Sequence, residues 1–475
     1  MKKVILEFLS LFIGFLIIPS AMGAKVDPVL GPQSEQARGE QHVLMVAVRF
    51  PDVEPTSSLE QLRRRAVEGL NKYIQNQSYG LAWVKADFRG WVPLSDSISK
   101  YKISPYNYQV DHGRIKKLIE DAMSAIDKET DFSQYHHMII IPGAFTKPGS
   151  GYGMGSLCAN PGMLSTFAYG STLTHQKGRN PYRSYITVKS RGGLKFQGGI
   201  VVAAENCHLG NFAYDFIYPL GGLYEDRRIV PCQYDFDRQS DPYVSRDHRN
   251  YSIYTGPWDI MSQVFIAGAP APASLSSFSK IRLGWISPEQ ALLVKPGETA
   301  YAFLSPLAKK GDTLVVKIPL KENLYYLVEN RQPIGFDRVL PDSGILILKV
   351  NTSIVEGNGP VRVMDADPKS PHFSHATFRL DGEERNLFMD RENNVTVIPL
   401  WTEGGNQGVL ITTPEKSTDA LKAALTVQRL SQRFHKVRGK GEIQLLEDCF
   451  RSFKSFDFKK CIEIAEKGLK DLGVD

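Results

Sequence analysis

A chain of 475 residues with 42% hydrophobic and 23% charged side chains has the composition of a folded protein of two or three domains and excludes a disordered or low-complexity one. Its formal net charge of +6 is spread along the length without a basic block, so nothing in it points to nucleic acid. Five cysteines, an odd number, leave at least one thiol without a partner in the same chain.

The first residues, Met1-Lys2-Lys3, are a cationic lead to an apolar run from Phe8 to Ile18, which ends near Pro19 and is followed by Ala21-Met22-Gly23. This pattern predicts a secretory signal peptide over residues 1–23 and a mature protein that is secreted or periplasmic. The run falls short of the roughly 20 residues a bilayer span needs, so no stable membrane span is expected after signal removal.

From Gln41 the pattern becomes that of folded structure. The near-continuous apolar run Val43 to Phe50, closed by Pro51-Asp52, predicts a strand buried on both faces. Leu59, Leu62, Ala66, Leu70 and Tyr73 recur at three- and four-residue spacing and predict a helix over Ser58–Ser78, broken by Tyr79-Gly80. Strand character returns over Leu81–Val92, a second helix is expected over Arg114–Ile126, and another buried strand over Met138–Ile141. Alternation on this scale indicates an α/β layer structure, here assigned to residues 24–286.

The stretch with the most chemistry runs from Gly198 to Ile286. Its apolar run Ile200-Val201-Val202-Ala203 leads into Ala204-Glu205-Asn206-Cys207-His208, read as a Glu-x-x-His helix, and further on stands the tight turn Trp258-Asp259-Ile260-Met261-Ser262. Side chains four apart on a helix share a face, which is why His-Glu-x-x-His holds one Zn²⁺ with two imidazoles while the glutamate activates a bound water. Here Glu205 stands at the general-base position and His208 at the second ligand position, but Ala204 occupies the first.

Arg49-Phe50-Pro51-Asp52, Gln77-Ser78-Tyr79-Gly80, Asp131-Phe132-Ser133-Gln134-Tyr135 and the Trp258–Ser262 turn, in this order, resemble the M6 family of secreted metallopeptidases, the immune inhibitor A group. The likeness continues through Tyr325 to Gln332, Gly335-Phe336-Asp337 and Gly344-Ile345-Leu346-Ile347, so it spans about Gln41 to Pro414. It implies a zincin-like α/β domain followed by β-structure, a catalytic zinc, and protein or peptide substrates. In this family the helix continues as His-Glu-x-x-His-x-x-Gly-x-x-Asp, the aspartate being the third ligand. Laid on this sequence without a gap, the first histidine falls on Ala204, the glycine on Asn211 and the aspartate on Tyr214, with Asp215 one residue beyond. The resemblance also makes Met261 part of an apolar floor beneath the metal and Lys280 and Trp285 determinants of the fold.

A catalytic zinc needs three protein ligands and one open position. With Ala204 unable to donate a lone pair, a rebuilt site would draw on Cys207, His208 and Asp215 or Tyr214, although Cys207 points roughly 100° away from His208 around a helix. In the plainer reading, Glu205, Cys207 and His208 are relics in a helix kept for packing. His136, His137, His175, His372 and His375 show no ligand spacing to His208, and His248 lies in an acidic loop where Asp235, Asp237 and Asp241 could hold Ca²⁺.

Beyond Ile286 short alternating runs separated by Gly, Pro, Asn and Asp predict an antiparallel β-sandwich over residues 287–414. The tail, residues 415–475, reads as a helical hairpin. Leu421, Ala424, Leu425, Val427 and Leu430 give one apolar face, and Asp457 to Leu469 resembles the second helix of a tetratricopeptide unit. Cys449 and Cys461 fall where paired helices would touch, which suits either close packing or a disulfide.

Two functions are open at this point. One is an inactive or impaired metalloendopeptidase homologue that binds proteins or peptides. The other is an active zinc protease of extracellular proteins with a rebuilt metal site.

Overall fold

A computed structural model describes residues 24–101, 112–146, 156–165, 184–235, 253–262, 271–434 and 440–471, with side chains from 443 onward in the last segment. The leader assigned to residues 1–23 lies outside them, and among the described residues no helix is long and apolar enough to cross a membrane.

The first part is a five-stranded sheet between helices. Its strands are β1 (Gly39–Arg49), β2 (Ala82–Pro93), β3 (His137–Pro142), β4 (Ser156–Asn160) and β5 (Gly199–Ala203), in the order β2-β1-β3-β5-β4. β2, β1, β3 and β5 run parallel, and β4 is antiparallel to β5. The unbroken apolar run of β1 is explained by burial on both faces. Val43, Met45 and Ala47 join one core, while Leu44, Val46 and Val48 join the other.

The first face is covered by α1, which comprises Leu59–Leu62, a π turn Arg63–Gly69 and Leu70–Gln77, and by α3 (Leu209–Gly221), while α2 (His112–Ile126) covers the opposite face and completes the three layers. Leu62, Ala66, Leu70, Tyr73 and Ile74 of α1 meet Phe212, Phe216 and Leu220 of α3 in one core; Ile115, Leu118, Ile119 and Met123 of α2 fill the other. Helix α1 begins in a capping box: Gln61 N–H donates to the Ser58 hydroxyl and Ser58 N–H to the Gln61 side chain.

The second part holds two more sheets. A short helix α4 (Ser277–Arg282) leads into β6 (Ala291–Leu293), β7 (Ala300–Leu304), β8 (Val315–Lys321), β9 (Leu324–Arg331), β10 (Gly344–Asn351), β11 (Val361–Val363), β12 (Phe388–Asp390), β13 (Val395–Glu403) and β14 (Asn406–Thr412). Their orders are β6-β8-β9-β10-β11 and β7-β14-β13-β12, antiparallel except where β6 meets β8. Because side chains alternate along a strand, each sheet offers two faces. Val316, Ile318, Tyr326, Val328, Ile345 and Ile347 of one sheet pack on Ala302, Leu304, Val395, Val397, Val409 and Ile411 of the other.

The remaining two faces are covered as well. Val315, Leu327, Leu346, Leu348 and Val350 pack against Trp258, Phe278, Ile281 and Ile286, so the first part is joined to the second through an apolar seam. On the far side Ile398, Leu400 and Leu410 pack on the tail, which has three helices where a hairpin was expected: α5 (Ser417–Phe434), α6 (Lys440–Lys454) and α7 (Phe458–Asp471). The last two form the hairpin, and α5 supplies Ala420, Ala423, Ala424, Val427 and Leu430 between it and the sheet. Gly468 of α7 faces Leu445 and Leu430 so closely that a Cβ there would lie 2.3 Å from Leu445 Cδ2, which explains a glycine inside a helix.

Cys449 and Cys461 lie buried in this core as free thiols, not as the disulfide the spacing suggested. Both act as small apolar side chains at the helix seam, and burial pushes their thiols up to about 11 and about 12.

Candidate functional site

The segment read as a Glu-x-x-His helix is a turn. Strand β5 ends at Ala203, and α3 begins only after His208, which is its N-cap. Between them Glu205 N–H donates to the Pro142 carbonyl at 3.0 Å and Cys207 N–H to the Ala204 carbonyl at 2.9 Å. Glu205 and His208 therefore do not share a helical face, and the geometry on which the ligand spacing rested is absent. The change has a local cause. His208 Nδ1 accepts the Gly210 N–H at 3.1 Å, and Asn211 Oδ1 accepts the His208 N–H at 3.2 Å, a reciprocal cap that starts the helix at this point.

Each expected functional side chain is committed elsewhere. Ala204 is fully buried in the core shared by β5, α1 and α3. The carboxylate of Glu205 is fully buried too, and its oxygens accept main-chain N–H groups from the segment that precedes α1: Thr56 N–H lies 2.9 Å from both, and Ser57 N–H 2.6 Å from Oε2. Asn206 is tied to Thr146, accepting its N–H and hydroxyl at 3.1 Å and donating to its carbonyl at 2.9 Å.

The thiol of Cys207 is buried, and burial, with the Asp215 carboxylate nearby, pushes it up to about 12. A thiol so raised is a poor source of the thiolate that zinc would need. Burial, followed by the charge of Arg65, holds the His208 imidazole below its usual range and so neutral near pH 7. Asp215, on α3, accepts the Ser156 hydroxyl at 2.6 Å, while Asn211 donates to the same hydroxyl at 3.2 Å. Burial raises the Asp215 carboxyl to about 7.

Glu205, His208 and Asp215 are thus close in sequence but have separate tasks: Glu205 fixes the approach to α1, His208 caps α3, and Asp215 closes a hydrogen-bond chain with β4. Among the described residues no group of three His, Cys, Asp or Glu side chains is arranged to hold a metal ion. The donor set does not fit zinc, because the Glu205 oxygens face main-chain donors, the Asp215 carboxyl faces Ser156, and an alanine stands in the first ligand position. The acidic loop expected to bind Ca²⁺ lies mostly outside the described residues, as do His175 and His248; Asp235 accepts the Tyr254 hydroxyl at 2.9 Å.

The turn Trp258–Ser262 is well built. Trp258 and Met261 are fully buried, and Met261 shares the core that holds Ala204 and Cys207. Asp259 organises it: Oδ2 accepts Ser276 N–H at 3.0 Å, Ser279 Oγ at 2.7 Å and Gln233 Nε2 at 3.2 Å, and Oδ1 accepts Met261 N–H at 2.9 Å. Close by, the buried guanidinium of Arg331 bonds Asp337 twice, at 2.9 and 3.0 Å, and Glu329 at 2.9 Å, and donates to the Trp258 carbonyl at 2.9 Å. Lys280 donates to the Gln77 carbonyl at 2.6 Å and stands over the Tyr79 ring. The Gln77–Gly80 and Tyr325–Gln332 motifs therefore meet at one buried polar junction with the turn.

The other described histidines have structural settings. His137 is buried edge-on to Phe216 and pushed down to about 3 by burial. The His136 ring lies tilted against that of His42, with centroids 5.6 Å apart, and His375 bonds the Ser370 hydroxyl at 2.9 Å.

The residues that sequence reasoning missed are Thr56, Ser57, Arg65 and Ser156. Arg65 donates from Nη2 to the Glu205 carbonyl, and its charge acts on Cys207, Glu205 and His208. A signal existed for the first two: Pro-Thr-Ser precedes the N-cap Ser58, where main-chain N–H groups are free to receive an acid.

Two concavities lie apart from these residues. One, about 260 Å³, lies between Tyr224–Pro231 and Thr352–Pro360 and is lined by Arg228, Arg282 and Glu356. The other, about 660 Å³, runs between β12 and helices α5 and α7, with Leu387, Met389, Leu421, Leu425 and Leu469 among its walls. No protein-family model matches the chain, and no curated protein matches it either.

Proposed function

We propose that the chain is an inactive or severely impaired homologue of the secreted M6-type metalloendopeptidases, with a zincin-like α/β layer and a β-sandwich, that binds proteins or peptides without cleaving them. The observation that carries this reading is the state of Glu205. A general base must reach a water beside the scissile bond, and this carboxylate is buried against the N–H groups of Thr56 and Ser57. Ala204 removes the first ligand, burial keeps the Cys207 thiol protonated, and burial raises the Asp215 carboxyl to about 7. The ordered motifs resembling the M6 family supply the family reading, and the two concavities provide surface for a polypeptide ligand.

The test is an assay of the purified mature protein against an unfolded, labelled protein substrate, with and without added Zn²⁺. The expected result is retention of label without new peptide ends. Hydrolysis that a chelator abolishes would overturn the proposal.

A further inference from the structure

The smaller concavity, about 260 Å³, carries three charged side chains in its wall that are each only 7% exposed: Arg228, Arg282 and Glu356. Two of them face each other. Arg228 donates twice to the Pro161 carbonyl, at 2.9 and 3.2 Å, and its Nη1 lies 3.9 Å from Glu356 Oε2, which also accepts the Cys232 N–H at 3.0 Å. Two polar needs remain. Glu356 Oε1 is buried without a hydrogen-bond partner, which is costly for a carboxylate. Arg282 forms no ion pair among the described residues; the groups around it are the Pro32 carbonyl, which accepts from Nη1 at 3.0 Å, the Phe278 ring, whose centroid lies 5.1 Å away, and the Tyr325 hydroxyl. All three are neutral. Phe278 and Arg282 stand four apart on α4, so the ring and the guanidinium come to the same wall, and the half-buried Ile354 and Val355 add apolar surface. The volume falls just under the roughly 300–1,000 Å³ of pockets for drug-sized ligands, so it suits something smaller.

We propose that this cavity binds an amino-acid unit with a free α-carboxylate and an apolar side chain, either a free amino acid or the last residue of a peptide. The carboxylate pairs with Arg282, the α-nitrogen donates to Glu356 Oε1, and the side chain packs on Phe278, Ile354 and Val355. A phosphate dianion would satisfy Arg282 but has nothing to donate to Glu356, and a simple cation would leave Arg282 unpaired. The cavity lies apart from the Glu205 turn, so the inference does not depend on whether that turn is catalytic.

The experiment is isothermal titration calorimetry of the full mature chain with L-leucine, with the tripeptide Ala-Ala-Leu and with the C-terminal amide of each. At least one of the two acids should bind; leucine binding identifies a free amino acid, and binding of the tripeptide alone identifies a peptide end. The corresponding amide, which lacks the carboxylate, should bind at least about tenfold more weakly. Arg282→Met should weaken binding of the acid to a similar degree. So should Glu356→Gln, whose oxygen goes to the Cys232 N–H and leaves an NH₂ facing the ligand's donor. Val355→Trp, at a half-buried wall position, fills the cavity without touching its charges, and should abolish binding where a charge variant does not accumulate. No heat from either acid, an amide that binds as tightly as its acid, or an affinity unchanged in the folded variants would each overturn the proposal.

Discussion

The main-chain N–H of Thr56 lies 2.9 Å from both carboxylate oxygens of Glu205. A residue that sequence spacing makes a general base is thereby a clamp between the end of β5 and the start of α1, and the two roles give opposite mutational signatures. Glu205→Gln would silence a catalytic base at little cost to stability. As a clamp it turns an accepting oxygen into an NH₂ that faces N–H groups, so it should lower the unfolding free energy by about 1.5–3 kcal/mol. Urea denaturation of the folded variant decides between them, and a stability equal to the wild type would rule out the clamp.

Asp215 sets a pH dependence. Burial raises its carboxyl from 3.8 to about 7, so the folded state holds the proton more tightly than the unfolded chain. Its contribution is complete below about pH 4 and is lost as pH rises through 7. The loss is on the order of 4 kcal/mol by pH 8. Asp215→Asn should flatten this part of the profile, becoming more stable relative to the wild type at pH 8 than at pH 5. Parallel profiles would show that the carboxylate is ionised in the folded protein.

Lys280 has the opposite sign. Burial depresses its ammonium from 10.5 to about 7, although Asp337, Glu329 and Asp259 pull it back up and Arg331 pushes it further down. Between those pH values the unfolded chain binds more protons, so stability rises with pH across the window. Lys280→Met should remove that rise, seen as a stability difference from the wild type that changes steadily from pH 7 to pH 10. A constant difference would mean that Lys280 stays charged inside the junction.

The strands were legible in the sequence because burial on both faces leaves a continuous apolar run, as in Val43–Val48, and α1 because Leu62, Ala66, Leu70 and Tyr73 keep helical spacing. The separate α6 was not, since its residues were absorbed into a hairpin reading of the tail. The Ala204–His208 turn was hidden for a different reason. Spacing shows that Glu205 and His208 could share a helical face, but where the helix starts depends on a cap and on tertiary contacts to Pro142, Thr56 and Ser57, residues remote in sequence. The mixed α/β character was readable; the tasks of the candidate residues were not.

The tail supplies a chemical test. Cys449 and Cys461 are free, buried and pushed up to about 11 and about 12 by burial, so neither forms thiolate readily in the folded protein. Both should resist alkylation until the chain is unfolded, and reductant should leave the melting temperature unchanged. A melting transition that falls on reduction would indicate a bridge between them.

Metal content of the purified mature protein tests the central claim most directly. With Ala204 in the first ligand position and the Glu205 carboxylate held by the N–H groups of Thr56 and Ser57, elemental analysis should find far less than one Zn²⁺ per chain. A stoichiometric zinc ion, removed by chelation together with peptide hydrolysis, would contradict the account.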